Sequence, residues 1–129
     1  MGIKGRLAKE RFGPSMPVHA PFLQNLPVYF RNARMALFQY ETDGERAAEL
    51  LPAALELTDQ PMAVLALIEY PWNTIGPYNE AIQFLVCTYK GRAVQYVPHI
   101  LVTTDVAMAG GREAYGYPKK IAHIEFVRE

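Results

Sequence analysis

The segment Met62–Tyr70 (MAVLALIEY) constrains the fold of this chain more than any other stretch. Its first seven residues, Met62 to Ile68, are all apolar, and Pro71 closes the run. Seven is far short of the roughly 20 apolar residues that cross a bilayer as a helix. A short continuous apolar run bounded in this way reads as a buried strand. Such a strand needs neighbours, and the sequence offers them. Arg31–Glu41 (RNARMALFQYE) is rich in long and aromatic apolar residues and reads as a strand. Glu80–Tyr89 carries Ile82, Phe84, Val86 and Thr88 in a β-type pattern, Lys90-Gly91-Arg92 reads as a hairpin turn, and Ala93–Thr104 returns as a further strand. In Ile121–Arg128, Ala122, Ile124 and Phe126 alternate with His123 and Glu125, the pattern of a half-buried edge strand.

Helix signals are fewer. Thr42 with Glu45 three residues on fits a capping box, with Thr42 as N-cap, opening a helix over Gly44–Leu51 that Pro52 ends. Asp105 caps a short helix through Met108, which the Gly110-Gly111 pair is expected to stop. Gly13–Pro27 contains Pro14, Pro17, Pro21 and Pro27 and reads as an extended arm. The expected fold is therefore α+β: a mostly antiparallel sheet or barrel with one or two short helices. The expected division is an arm over 1–27 and a sheet over 28–129.

Thirteen Lys and Arg balance thirteen Asp and Glu. No clustered positive excess points to nucleic acid or to an anionic membrane surface, and neither is expected as a partner. The first thirteen residues hold no apolar stretch of signal-peptide length. Cys87 is the only cysteine, so no internal disulfide can form, and it reads as a small buried residue. Both features point to the cytosol. His19, His99 and His123 lie far apart with no metal-ligand spacing, so no metal is expected.

Chemistry concentrates at Lys119-Lys120, which follow a Gly-Tyr-Pro corner and precede an apolar strand. Burial disfavours the ammonium form of a lysine, and a neighbouring cation disfavours it further. Adjacent residues on a strand point to opposite faces, so burial is expected to weigh at least as much as the neighbour. A neutral amine attacks a ketone to form a Schiff base. By residue type alone the pair also fits a solvated turn, and Glu80 a solvated strand-start carboxylate.

Several blocks choose between these readings. Gly111-Arg112-Glu113 followed by Tyr117-Pro118-Lys119-Lys120 resembles the signature of the acetoacetate decarboxylase family. Tyr40-Glu41-Thr42-Asp43 with Leu51-Pro52 and Leu55-Glu56, and the loop Gly76-Pro77-Tyr78-Asn79-Glu80, resemble further blocks of it. They stand in one ungapped register from about Val28 to Lys120. The resemblance implies that Lys119 is the Schiff-base nucleophile, Lys120 its charge-tuning neighbour and Glu80 an active-site carboxylate, with Tyr117 in the wall. It also marks two departures. An active-site arginine of the family falls on Ala33, flanked by Arg31 and Arg34, and a second pocket glutamate falls on Leu65. Arg31 shares the strand parity of Ala33 and is the preferred substitute anchor for a substrate carboxylate.

The function so implied is a Schiff-base lyase acting on a small keto acid, chiefly a β-keto acid decarboxylase, needing no metal or organic cofactor. An aldolase-dehydratase using pyruvate through the same lysine is the alternative, and a non-catalytic ligand-binding or assembly subunit is the reading of another class. All matched blocks belong to the first half of the family's longer chains. The apolar alternation of the last strand, IAHIEFVRE, calls for a partner. A second polypeptide completing the fold, within a homo- or hetero-oligomer, is therefore expected.

Overall fold

The computed structural model describes residues 2–13, 18–20 and 27–127. The arm expected over 13–27 lies mostly outside them. Among the described residues, eight strands and two α-helices follow in chain order: β1 (Phe30–Arg31), β2 (Arg34–Glu41), α1 (Gly44–Leu50), β3 (Glu56–Leu57), β4 (Met62–Tyr70), β5 (Trp72–Asn73), β6 (Tyr78–Tyr89), β7 (Arg92–Val102), α2 (Asp105–Tyr115) and β8 (Lys119–Ile121). The main sheet runs β2-β4-β6-β7-β8, with β3 paired to the end of β6, while β1 and β5 form a separate two-stranded ribbon. The apolar run Met62–Ile68 lies in β4, held between β2 and β6. No helix among the described residues is long and apolar enough to cross a membrane.

The pairing is antiparallel except for β7 with β8, which is parallel. Parallel neighbours need a crossover rather than a tight turn, and α2 supplies it. The β6–β7 hairpin turns on Lys90 (φ 49°) and Gly91 (φ 74°), the two positive φ angles a tight primed turn requires. The described strands form an open sheet, not a closed barrel.

Four local expectations are corrected. The strand expected over 31–41 is broken, because Asn32 takes a left-handed φ of 55° and separates β1 from β2. Helix α1 is capped by Asp43 rather than Thr42: Asp43 Oδ1 accepts from the Arg46 N–H at 3.1 Å. The Thr42 N–H is already committed to the Pro61 carbonyl at 2.9 Å, so it is not free to receive Glu45 as a capping box requires, while the helix still starts at Gly44. Helix α2 does not stop at Gly110-Gly111 but continues to Tyr115, with both glycines buried inside it. Regular pairing of the final strand ends at Ile121. The Ala122 N–H still reaches the Val102 carbonyl at 2.9 Å, but β7 ends there and leaves nothing to continue the ladder. Beyond it, Asn79 Nδ2 donates to the Ile124 carbonyl at 2.8 Å and holds the segment to the sheet.

Two core clusters sit on opposite faces of the sheet. On one face Ala107 of α2 packs with Tyr78, Ile100 and Val102 of the sheet. On the other, Ala47 of α1 packs with Ala63 and Leu85, aided by Leu51, Leu57 and Tyr96. Cys87 is fully buried, and burial pushes its thiol up from its ordinary range against the lowering effect of a backbone hydrogen bond at Tyr96.

Candidate active site

Lys119 opens β8, and strand register decides where its side chain goes. Ile100 lies beside Lys119 and Val102 beside Ile121, while across the next ladder Ile82 faces Ile100 and Glu80 faces Val102. Side chains alternate between faces along a strand. Lys119 and Glu80 therefore share the face that α2 covers, and Lys120, beside Leu101, points to the other face and is exposed. The Nζ of Lys119 meets Oε2 of Glu80 at 2.6 Å, with the two side chains only 11% and 5% exposed. A charge buried this deeply needs a hydrogen-bonded partner of opposite sign, and each residue provides it for the other.

Helix α2 sets how closely the lysine can lie. A Cβ on Gly111 would stand 2.5 Å from Lys119 Cδ and 2.6 Å from Cε, so only glycine leaves room for the lysine stem. The helix then ends on Gly116 at φ 70°, with the N–H groups of Gly116 and Tyr117 donating to the carbonyls of Arg112 and Gly111 at 3.1 Å each. This is a left-handed helix cap of the kind that returns a chain sharply. Arg112 Nη1 donates to the Lys119 carbonyl at 3.1 Å, and the Lys119 N–H donates to the Tyr117 carbonyl at 2.8 Å. The segment from Gly111 to Lys119 thus clamps the lysine backbone while its side chain runs under the helix.

A cavity of about 350 Å³ opens onto Lys119. Its walls include Phe30 from β1, Ile75, Val106, Ala107 and Tyr115 from α2, and Tyr117 beyond the helix. Lys119 is the only charged side chain among the described lining residues. The Tyr78 ring, 5.7 Å from Nζ, forms the floor. Tyr70 packs on Tyr78 with centroids 4.7 Å apart, and Phe30 packs on Tyr70 at 4.9 Å. Burial, and then the Glu80 charge, push the Tyr70 phenol up to about 12. The same two causes, with Tyr70 third, raise Tyr78. Both phenols hold their protons at neutral pH and can donate hydrogen bonds.

Of the other residues singled out in the sequence, Tyr117 lines the cavity and stacks with Tyr115 at 5.8 Å. Arg31 does not line it. Phe30 does, and the Arg31 guanidinium lies 4.9 Å over the ring of exposed Trp72. The parity that linked Arg31 to Ala33 is lost at the left-handed Asn32. Arg34 stands at the sheet edge and bridges Glu69 at 3.2 Å. Leu65 lies opposite Phe38 and Gln83, in the register of the α1 face, away from Lys119. His123 pairs with Glu125 at 2.9 Å on the surface. Among the described residues, no group of three His, Cys, Asp or Glu could hold a metal ion.

The structure adds residues the sequence reading did not place. The Gly110-Gly111 pair carries the pattern of a helix stop, whereas Gly111 is the gap that admits Lys119. Arg112, Glu113 and Ala114 behind it favour helix, and that signal argued for continuation through the pair. Phe30, Ile75, Val106 and Ala107 carried no local signal, since apolar walls of a cavity and of a core look alike in sequence.

A family model described as acetoacetate decarboxylase matches residues 15–129. Decarboxylase DEC1 of Cochliobolus heterostrophus is 30% identical over 132 residues, covering 100% of this chain and 52% of its own length. Acetoacetate decarboxylase 2 of Mesorhizobium japonicum is 34% identical over 109 residues, covering 84% of this chain and 41% of its own. The crystal structure of acetoacetate decarboxylase from Legionella pneumophila superposes with a TM-score of 0.75 at 27% identity, over 99% of this chain and 52% of that one. The chain thus spans about half the length of the relatives it matches. With the family model matched over nearly the whole sequence, this chain belongs to the acetoacetate decarboxylase family.

Proposed function

We propose that this chain carries the imine-forming lysine of a Schiff-base lyase that decarboxylates a β-keto acid. The observation that supports it is the buried 2.6 Å contact between Lys119 Nζ and Glu80 Oε2 at the base of the apolar cavity. Only a neutral amine attacks a carbonyl, and Glu80 is placed to take the proton that Lys119 gives up. Attack on the ketone forms a C–N bond. Loss of water from the resulting carbinolamine gives a protonated imine. The bond to the carboxylate then breaks, its electron pair moves into the imine, and CO₂ leaves an enamine. Protonation at carbon, from Glu80 in this reading, and hydrolysis release the ketone and free Lys119. Tyr117 forms part of the wall beside the reacting carbon. Because the chain spans about half the length of its relatives, the proposal is made for the fold as completed by further sequence.

Borohydride reduction tests it. With a β-keto acid present, intact mass should show one reduced adduct on the wild-type chain and none on Lys119→Ala. An adduct that persists in Lys119→Ala, or none with any keto acid, overturns the reading, the latter in favour of a non-catalytic subunit. Product analysis separates the chemistries: a ketone and CO₂ mark decarboxylation, and a condensation product from pyruvate marks the aldol route.

A further inference from the structure

We infer that Arg112 is a positioning residue that decides which lysine of the Lys119-Lys120 pair is the nucleophile, by fixing the register of β8; the inference rests on the imine reading above. The two side chains are identical, so their chemistry alone cannot choose between them. Register can. Lys119 lies beside Ile100 and Lys120 beside Leu101, and side chains alternate between faces along a strand. A slip of one residue would bring Lys120 beside Ile100, on the face that α2 covers, and turn Lys119 away. The room that Gly111 leaves for a lysine stem would then take the other lysine.

The strand's own pattern does little to prevent that slip. β8 is three residues long, with one apolar side chain among them, and so polar a strand specifies its register weakly. Arg112 supplies the hold. Its backbone carbonyl accepts the Gly116 N–H at 3.1 Å in the cap of α2, while its Nη1 donates to the Lys119 carbonyl at 3.1 Å. One residue thus ties the end of the helix to the first residue of the strand, through a charged donor, which bonds about twice as strongly as a neutral one. The Lys119 N–H is engaged as well, on the Tyr117 carbonyl at 2.8 Å. Both backbone groups of Lys119 are therefore taken within this chain, and the register at this residue does not wait on sequence that completes the fold. Asn79 gives a second, neutral hold. Its backbone N–H donates to Thr103 Oγ1 at 2.9 Å and its carbonyl accepts the Thr103 N–H at 3.1 Å, while Nδ2 donates to the Ile124 carbonyl at 2.8 Å. The segment after β8 is so pinned beside Glu80. Arg112 is exposed, so truncating it removes the tie without opening the core.

The test uses the protein purified under native conditions, borohydride trapping with acetoacetate, and peptide mapping of the reduced adduct. Reduction is irreversible, so a minor register accumulates its own product. Wild type should carry the adduct on Lys119. In Arg112→Ala the share of adduct on Lys120 should rise at least about tenfold, the worth of one hydrogen bond to a charged group. Arg112→Lys, which keeps a charged donor, should return most of it to Lys119. Lys119→Ala combined with Arg112→Ala should regain an adduct, on Lys120, that Lys119→Ala alone lacks. Adding Asn79→Ala should raise the Lys120 share further. A general loosening of the fold would slow trapping but leave the adduct on Lys119. No adduct on Lys120 in either Arg112→Ala or its combination with Lys119→Ala overturns this inference and leaves the imine reading standing. No adduct on the wild-type chain overturns the imine reading, and this inference falls with it.

Discussion

Gly111 shows how one missing side chain can govern a site. Alanine in a helix interior ordinarily gains about 1 kcal/mol over glycine. Here the added methyl meets the flexible stem of Lys119 at 2.5 Å, so the lysine rather than the helix must move. Gly111→Ala is expected to change unfolding free energy by about 1 kcal/mol or less, while the borohydride trapping rate falls by about 100-fold, the scale of an ångström misplacement. A trapping rate equal to wild type would show that Lys119 has another route to its position. Tyr70 gives a second outcome at this scale. Its phenol is raised from 10.0 to about 12 by burial and by Glu80. Below pH 10 both folded and unfolded chains hold the proton, so there is no effect. Above it the unfolded chain loses the proton first, and stability falls as pH rises towards about 12. Thermal unfolding across that range should show the decline, and Tyr70→Phe should make it shallower.

At the scale of elements, α1 and α2 depend on what happens at their ends. Asp43, not Thr42, accepts the Arg46 N–H in the first turn of α1. Asp43→Ala is accordingly expected to cost about 1 kcal/mol in urea unfolding, the usual worth of an N-cap, with Thr42→Ala costing less. The sequence shows a capping signal here but not which residue uses it, because that choice depends on whether the Thr42 N–H still belongs to the sheet edge. In α2 the same kind of contest runs the other way. A glycine pair normally marks a stop, but packing against β8 and the left-handed turn at Gly116 carry the helix on to Tyr115. By contrast, β4, β6 and β7 appear close to where apolar pattern placed them, since alternation and burial act along the strand itself.

For the molecule as a whole, the sheet face that carries Lys119 is covered unevenly. Helix α2 shields the β6–β7 side, while Met35 and Leu37 on β2 are 57% and 61% exposed beside an open apolar trough that Ile82 and Phe84 also line. Exposed apolar surface of this extent favours association, and relatives of this chain are about twice its length. Native mass spectrometry of this 129-residue chain is expected to find an assembly heavier than 14.5 kDa; a stable monomer of that mass would show that the exposed apolar face does not drive association. The amino-acid sequence determined the strand-rich class, the central strand β4, the family blocks and Lys119 as the residue to test, because these follow from local periodicity and from residue types in fixed spacing. Only the tertiary structure decided that Glu80 meets Lys119, that Arg31 and Leu65 stay away from the cavity, and that Gly111 is a gap and not a stop. Those outcomes depend on register between strands far apart in the chain, where a shift of one residue, or one left-handed residue such as Asn32, sends every later side chain to the opposite face.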